Sequence, residues 1–109
     1  MTKNEINYSS NDEDNDYNLH SRHCTYCCNQ HPDKVCFNGQ CIVYVKRGEY
    51  DSNGFTSDVL INPTYRDIFL LCDDIVEATQ NFDHTFFEFV TYTKQINEHI
   101  HELDVFLGS

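Results

Sequence analysis

The sequence predicts an α+β domain: a small Cys-rich, zinc-bound loop and β-hairpin, followed by one central helix packed on a small antiparallel sheet. Three observations predict it. Five of the six cysteines crowd into HCTYCC and CFNGQC, between residues 23 and 41. Apolar residues recur with helical period through TYRDIFLLCDDIVEATQN, residues 64–81. The run TFFEFVTYT is β-branched and aromatic, as strands are.

Taken in order, residues 1–19 read as a disordered acidic tail, because five acids and few apolar groups cannot offset the entropy of ordering. A short interaction peptide using Ile6, Tyr8 and Tyr17 is the lesser reading. Residues 20–34, HSRHCTYCCNQHPDK, are rich in Cys and His and poor in aliphatics, so they need ligands to hold them. Next comes KVCFNGQCIVYVKR. Asn-Gly between apolar runs is a strong hairpin signal, since both residues accept positive φ. With Asn38-Gly39 as the turn, Cys36 faces Cys41, and strand two runs on through Ile42–Val45.

Residues 48–62 are rich in turn formers and read as a loop, with a short strand over 58–61. Pro63 suits a first helical turn and Asn62 an N-cap. Ile68, Leu71, Cys72, Ile75, Val76 and Thr79 share one helical face, and Asn81 suits the C-cap. Within the following strand Phe87 and Phe89 face one way, and Phe86, Glu88 and Val90 the other. The tail QINEHIHELDVFLGS reads as a short helix and then a strand over 103–107. The organisation is therefore a tail at 1–19, a zinc-binding loop and hairpin at 20–47, and a helix with strands at 48–109, packed with the hairpin as one domain.

Cys24 and Cys27 have the two-residue gap of a zinc knuckle, and a hairpin would set Cys36 and Cys41 on one face, 4 residues intervening. Four thiolates converging on one ion make a structural zinc site with every position filled, leaving none for catalysis. The expected metal ligands are thus Cys24, Cys27, Cys36 and Cys41. Cys28, His20, His23 or His31 could replace one of them. A Cys36–Cys41 disulfide is the structural alternative, because that cross-strand spacing lies within disulfide reach.

Other chemistry is weaker. Cys72 with His84 and Asp73 or Asp74 lacks an activating motif, and a lone apolar-face Cys is usually a small hydrophobe. Asp83, His84 and Glu88 resemble an acid/base kit but read more simply as a turn and a sheet-edge charge. His99 and His101 would share one side of a strand and could bind metal, yet solvated surface is the simpler reading. Asp73, Asp74 and Glu77 read as a solvated face.

The net charge is -11, from 18 acids against 7 bases. Such a balance opposes nucleic-acid binding, which needs clustered Lys and Arg. Only residues 19–47 are locally basic, through Arg22, Lys34, Lys46 and Arg47 against Asp33; a nucleic-acid finger built on them is a minor reading. No apolar run nears the roughly 20 residues that span a bilayer, and the first residues lack the apolar core of a signal peptide. An intracellular, reducing setting follows, where clustered cysteines favour metal over disulfides. Eleven Asn and eleven Asp fit an AT-rich genome, as in some protists and large DNA viruses. The expected function is a non-catalytic, intracellular zinc-binding protein that acts through protein contacts, as a component of a larger assembly. Tyr44, Tyr50 and Phe55 are its candidate contact residues. The alternative is a small thiol-redox enzyme using Cys27 and Cys28.

Overall fold

A computed structural model describes residues 17–46, 54–80 and 82–108. Along the chain come β1 (Thr25–Tyr26), β2 (Gln40–Lys46), β3 (Gly54–Thr56), β4 (Leu60–Ile61), α1 (Tyr65–Thr79), β5 (Phe86–Gln95) and β6 (Ile100–Gly108). Among the described residues, one helix on a six-stranded sheet makes the fold α+β. The strand order is β1-β5-β6-β2-β3, with β4 also pairing β2. Most of the expected tail, together with Arg47, Tyr50 and Asn81, lies outside the described residues.

The sheet is mixed, not antiparallel as expected. β1 runs parallel to β5, and β2 parallel to β6; the remaining pairs are antiparallel. The cause is the connection between β2 and β6. It passes through α1, and a helical crossover lets two strands lie side by side in the same direction.

The Asn38-Gly39 hairpin is also overridden. Gly39 has φ 125°, whereas Asn38 is not in the left-handed region that a two-residue turn requires of it. Gly39 N–H instead donates to Asn62 Oδ1 at 2.7 Å, and Asn62 N–H donates to Gly39 O at 2.9 Å. Asn62, itself at φ 50°, thereby clamps the bend to a later segment. Val35 bridges to Thr64, and Cys41 pairs with Leu60 and His101 rather than Cys36.

Thr64, not Asn62, caps α1. Its hydroxyl accepts from Asp67 N–H at 3.1 Å, while its own N–H donates to Asp67 Oδ2 at 2.9 Å. Two N–H groups that the first turn would leave orphaned are thus satisfied. Gln80, left-handed at φ 57°, closes the other end by donating its N–H to Val76 O. The helix buries Ile68, Phe69, Cys72, Asp73, Ile75 and Val76, so the apolar face read from the sequence is the packed one.

That face meets Cys41, Val43, Val45, Phe87, Leu103, Val105 and Leu107 in a continuous core. Tyr26, Phe69 and Phe87 meet at its centre, with ring centroids 5.3–5.7 Å apart. Phe87 and Phe89 do not share a face, because the β5–β6 register shifts between them. The bulge turns Phe87 into the core and leaves Phe89 exposed. No helix forms after β5. Asn97 Oδ1 accepts from His99 N–H and Ile100 N–H, closing a tight turn into β6, which contains the expected strand 103–107. Among the described residues no helix is long and apolar enough to cross a membrane.

Candidate functional site

Three features outside the plain core carry chemistry: the cysteines, a clamp on α1, and the sheet face away from the helix.

Thr25–Tyr26 form β1, with Cys24 before it and Cys27 and Cys28 after it. Thr25 N–H donates to Thr85 O, Tyr26 N–H to Leu19 O and Cys27 N–H to Phe87 O. Side chains of an extended chain alternate. Cys24, Tyr26 and Cys28 are accordingly buried, while Thr25 and Cys27 between them are only half-buried. Cys24 is therefore enclosed in the core, while Cys27 keeps partial access to solvent.

Cys28, Cys36 and Cys41 share a neighbourhood with the Tyr26 and Tyr65 hydroxyls. Burial pushes the Cys36 thiol up to about 11; the Tyr65 hydrogen bond opposes this, and charge on Cys41 or Cys28 adds to it. Cys41 is raised by burial. Burial, then the charge of Cys36 and the hydrogen bond with it, takes Tyr65 up to about 12. Tyr26 is raised by burial and then by Cys28, and its hydroxyl donates to Gln30 O at 2.5 Å. No disulfide joins any of the six cysteines. Among the described residues no group of three or more His, Cys, Asp and Glu is arranged to hold a metal ion.

The histidines considered as ligands have other contacts. His23 lies 2.5 Å from Glu77 Oε1 and tilts against Phe82. His31 Nδ1 accepts from Asp33 N–H, and its ring meets Tyr17 edge-on. His20 forms a β-bridge with Thr25. His101 lies 2.9 Å from the Tyr92 hydroxyl, while His99 is exposed beside Glu98.

The clamp lies on α1. Asp73, only 3% exposed, accepts from Ser21 Oγ at 2.8 Å, His23 N–H at 2.7 Å and Arg22 Nε at 2.8 Å. Arg22 reaches on to Asp74 Oδ1 at 2.8 Å and Glu77 Oε1 at 3.5 Å. Burial pushes the Asp73 carboxyl up, yet its hydrogen bonds and the Arg22 charge outweigh that and hold it below the ordinary range. The helix acids thus do more than face solvent: they fasten the loop leading into β1. This also engages Arg22, one of the bases considered for nucleic acid. Sequence spacing held no sign of the contact, which spans about 50 residues.

The third feature is the open sheet face. An open cleft of about 250 Å³ is lined by Tyr44, Lys46, Phe89, Thr91, Asp104, Val105 and Phe106. Register sets Tyr44 and Thr91 on either side of Asp104, and Phe89 opposite Phe106. Phe89 and Phe106 stack with centroids 4.9 Å apart and planes 3° apart, while remaining 47% and 48% exposed. The Tyr44 ring lies over Gly54, where a Cβ would come within 2.5 Å of it. Asp104 Oδ1 is buried without a hydrogen-bond partner. Of the contact residues expected from sequence, Tyr44 lines this cleft and Phe55 is exposed on β3. Phe89, Phe106 and Asp104 were missed, because the bulge that aims Phe89 is invisible to period counting.

No protein-family model, curated protein or solved structure matches the chain.

Proposed function

We propose that this chain is a non-catalytic protein-interaction domain that docks a partner protein on the open face of its sheet. One observation carries the reading: two phenylalanines are stacked in parallel, half-exposed, at the rim of a cleft on which no described element packs. Apolar rings held rigidly on a sheet give contact area at little entropic cost, as binding surfaces require. Residues considered for catalysis have structural positions instead: Cys72 is buried in the core and Asp73 holds the clamp. A place inside the cell, as part of a larger assembly, belongs to the same proposal. The test is the Phe89→Ser, Phe106→Ser double variant. It should stay folded and fail to retain a partner that the wild-type chain holds in a pull-down; equal retention by the double variant overturns the reading.

Structural zinc is proposed as well, on the ligands expected from the sequence, Cys24, Cys27, Cys36 and Cys41. The support is the crowding of five of the six cysteines into residues 24–41; among the described residues these sulfurs are not already grouped around a metal position. Their loops would tighten on the ion, since metal binding and folding are coupled in such segments. Elemental analysis tests this: zinc at about one per chain, lost in Cys41→Ser, supports it, and metal-free protein with an unchanged fold overturns it.

A further inference from the structure

We infer that the open-face cleft receives an arginine side chain from a basic segment of the partner, with Asp104 as its counter-charge. The inference rests on the docking reading and adds the chemistry of the occupant.

Asp104 sits on β6, with β5 on one side and β2 on the other. A carboxylate oxygen buried without a donor is costly, and such atoms are uncommon in native proteins. Asp104 Oδ1 is in that state, and the same carboxylate's residue lines a cleft that opens outward. The neighbours select the donor. Thr91 and Tyr44 flank the carboxylate, and Phe89 and Phe106 supply a stacked aromatic wall. One carboxylate among aromatic rings is a poor cage for a hard metal ion, which needs several oxygens. It suits a guanidinium, which is planar, stacks on aromatic faces and donates through a rigid fork. A volume of about 250 Å³ admits one such head with its stem, not a folded element. The chain's charge of -11 draws basic partners by long-range attraction.

Lys46 lines the same cleft. It leaves Asp104 Oδ1 without a hydrogen bond, so it acts at the rim as a competitor for the incoming cation, not as the resident counter-ion.

The test is an amide NMR titration of the full chain at low salt with the blocked peptide Gly-Ser-Arg-Ser-Gly. The same peptide with citrulline, and free arginine, serve as controls. The expected result is shifts confined to Tyr44, Phe89, Asp104 and Phe106 with the arginine peptide, none with citrulline, and weaker ones with free arginine. Asp104→Asn should weaken binding about tenfold. Lys46→Gln, an exposed change, should tighten it. Equal binding of the citrulline peptide, shifts centred on Asp73, Asp74 and Glu77, or unchanged affinity in Asp104→Asn would overturn the inference. If cross-links from the Phe106 position to a partner persist after that failure, the cation alone is lost; if they vanish too, the docking face falls with it.

Discussion

Phe89 and Phe106 lie on neighbouring antiparallel strands with their rings parallel, 4.9 Å apart, on the face of the sheet opposite the helix. The pair depends on a bulge. Without the register shift after Phe87, Phe89 would point with Phe87 into the core and Phe106 would have no partner. Because both rings are about half exposed, Phe106→Ser should cost about 1 kcal/mol or less in urea unfolding, roughly the value of an aromatic pair. A loss of several kcal/mol would make the rings core rather than contact surface.

The opposite expectation holds at the centre of the core. Phe69 is fully buried and meets both Tyr26 and Phe87. Phe69→Ala should destabilise by about 3–5 kcal/mol, from lost burial plus a residual cavity. Equilibrium denaturation measures it.

Asp73 makes stability sensitive to acid. Its carboxyl is held below the ordinary value of 3.8 in the folded chain. A depressed carboxylate contributes stability that is complete above its unfolded pKa and disappears as pH falls through the folded one. Stability should therefore decline as pH drops below about 4. Asp73→Asn should be less stable at neutral pH and lose less on acidification, as denaturation series at pH 7 and pH 3 would reveal. At neutral pH Asp73→Ala should cost about 2–3 kcal/mol, because Ser21 and the His23 N–H lose a buried acceptor.

Capping offers a smaller, sharper check. Thr64→Ala removes the acceptor for Asp67 N–H and should cost about 1 kcal/mol. Asn62→Ala should leave the helix start intact and instead release Gly39 N–H, which donates to the Asn62 side chain, while the backbone bond from Asn62 N–H to Gly39 O remains. Amide exchange at Gly39 separates the two effects.

Much of α1 was legible, since Ile68, Cys72 and Ile75 follow a period that only a helix buries. Strand β5 was legible from composition, but the direction of Phe89 was not, because a bulge changes phase without changing residue type. The Asn38-Gly39 signal misled because Asn62, more than 20 residues later, satisfies Gly39 better than a local turn does. The segment holding Cys24 and Cys27 was read without a strand, which a distant partner supplies. Pairing with β5 draws Thr25 and Tyr26 into the sheet, with Cys24 and Cys27 on either side. Local signals gave α1, β2 and β5 but not β1 or β3; contacts distant in sequence decided which side chains meet.

The docking face is tested most directly by photo-cross-linking in cells, with a benzophenone side chain placed at Phe106 in one variant and at Leu70 in another. Leu70 is 47% exposed on the helix, as open to solvent as Phe106 at 48%. The account predicts a discrete protein adduct from the Phe106 position, abolished by Phe89→Ser, and none from Leu70. Adducts from Leu70 alone, or equally from both, would contradict it.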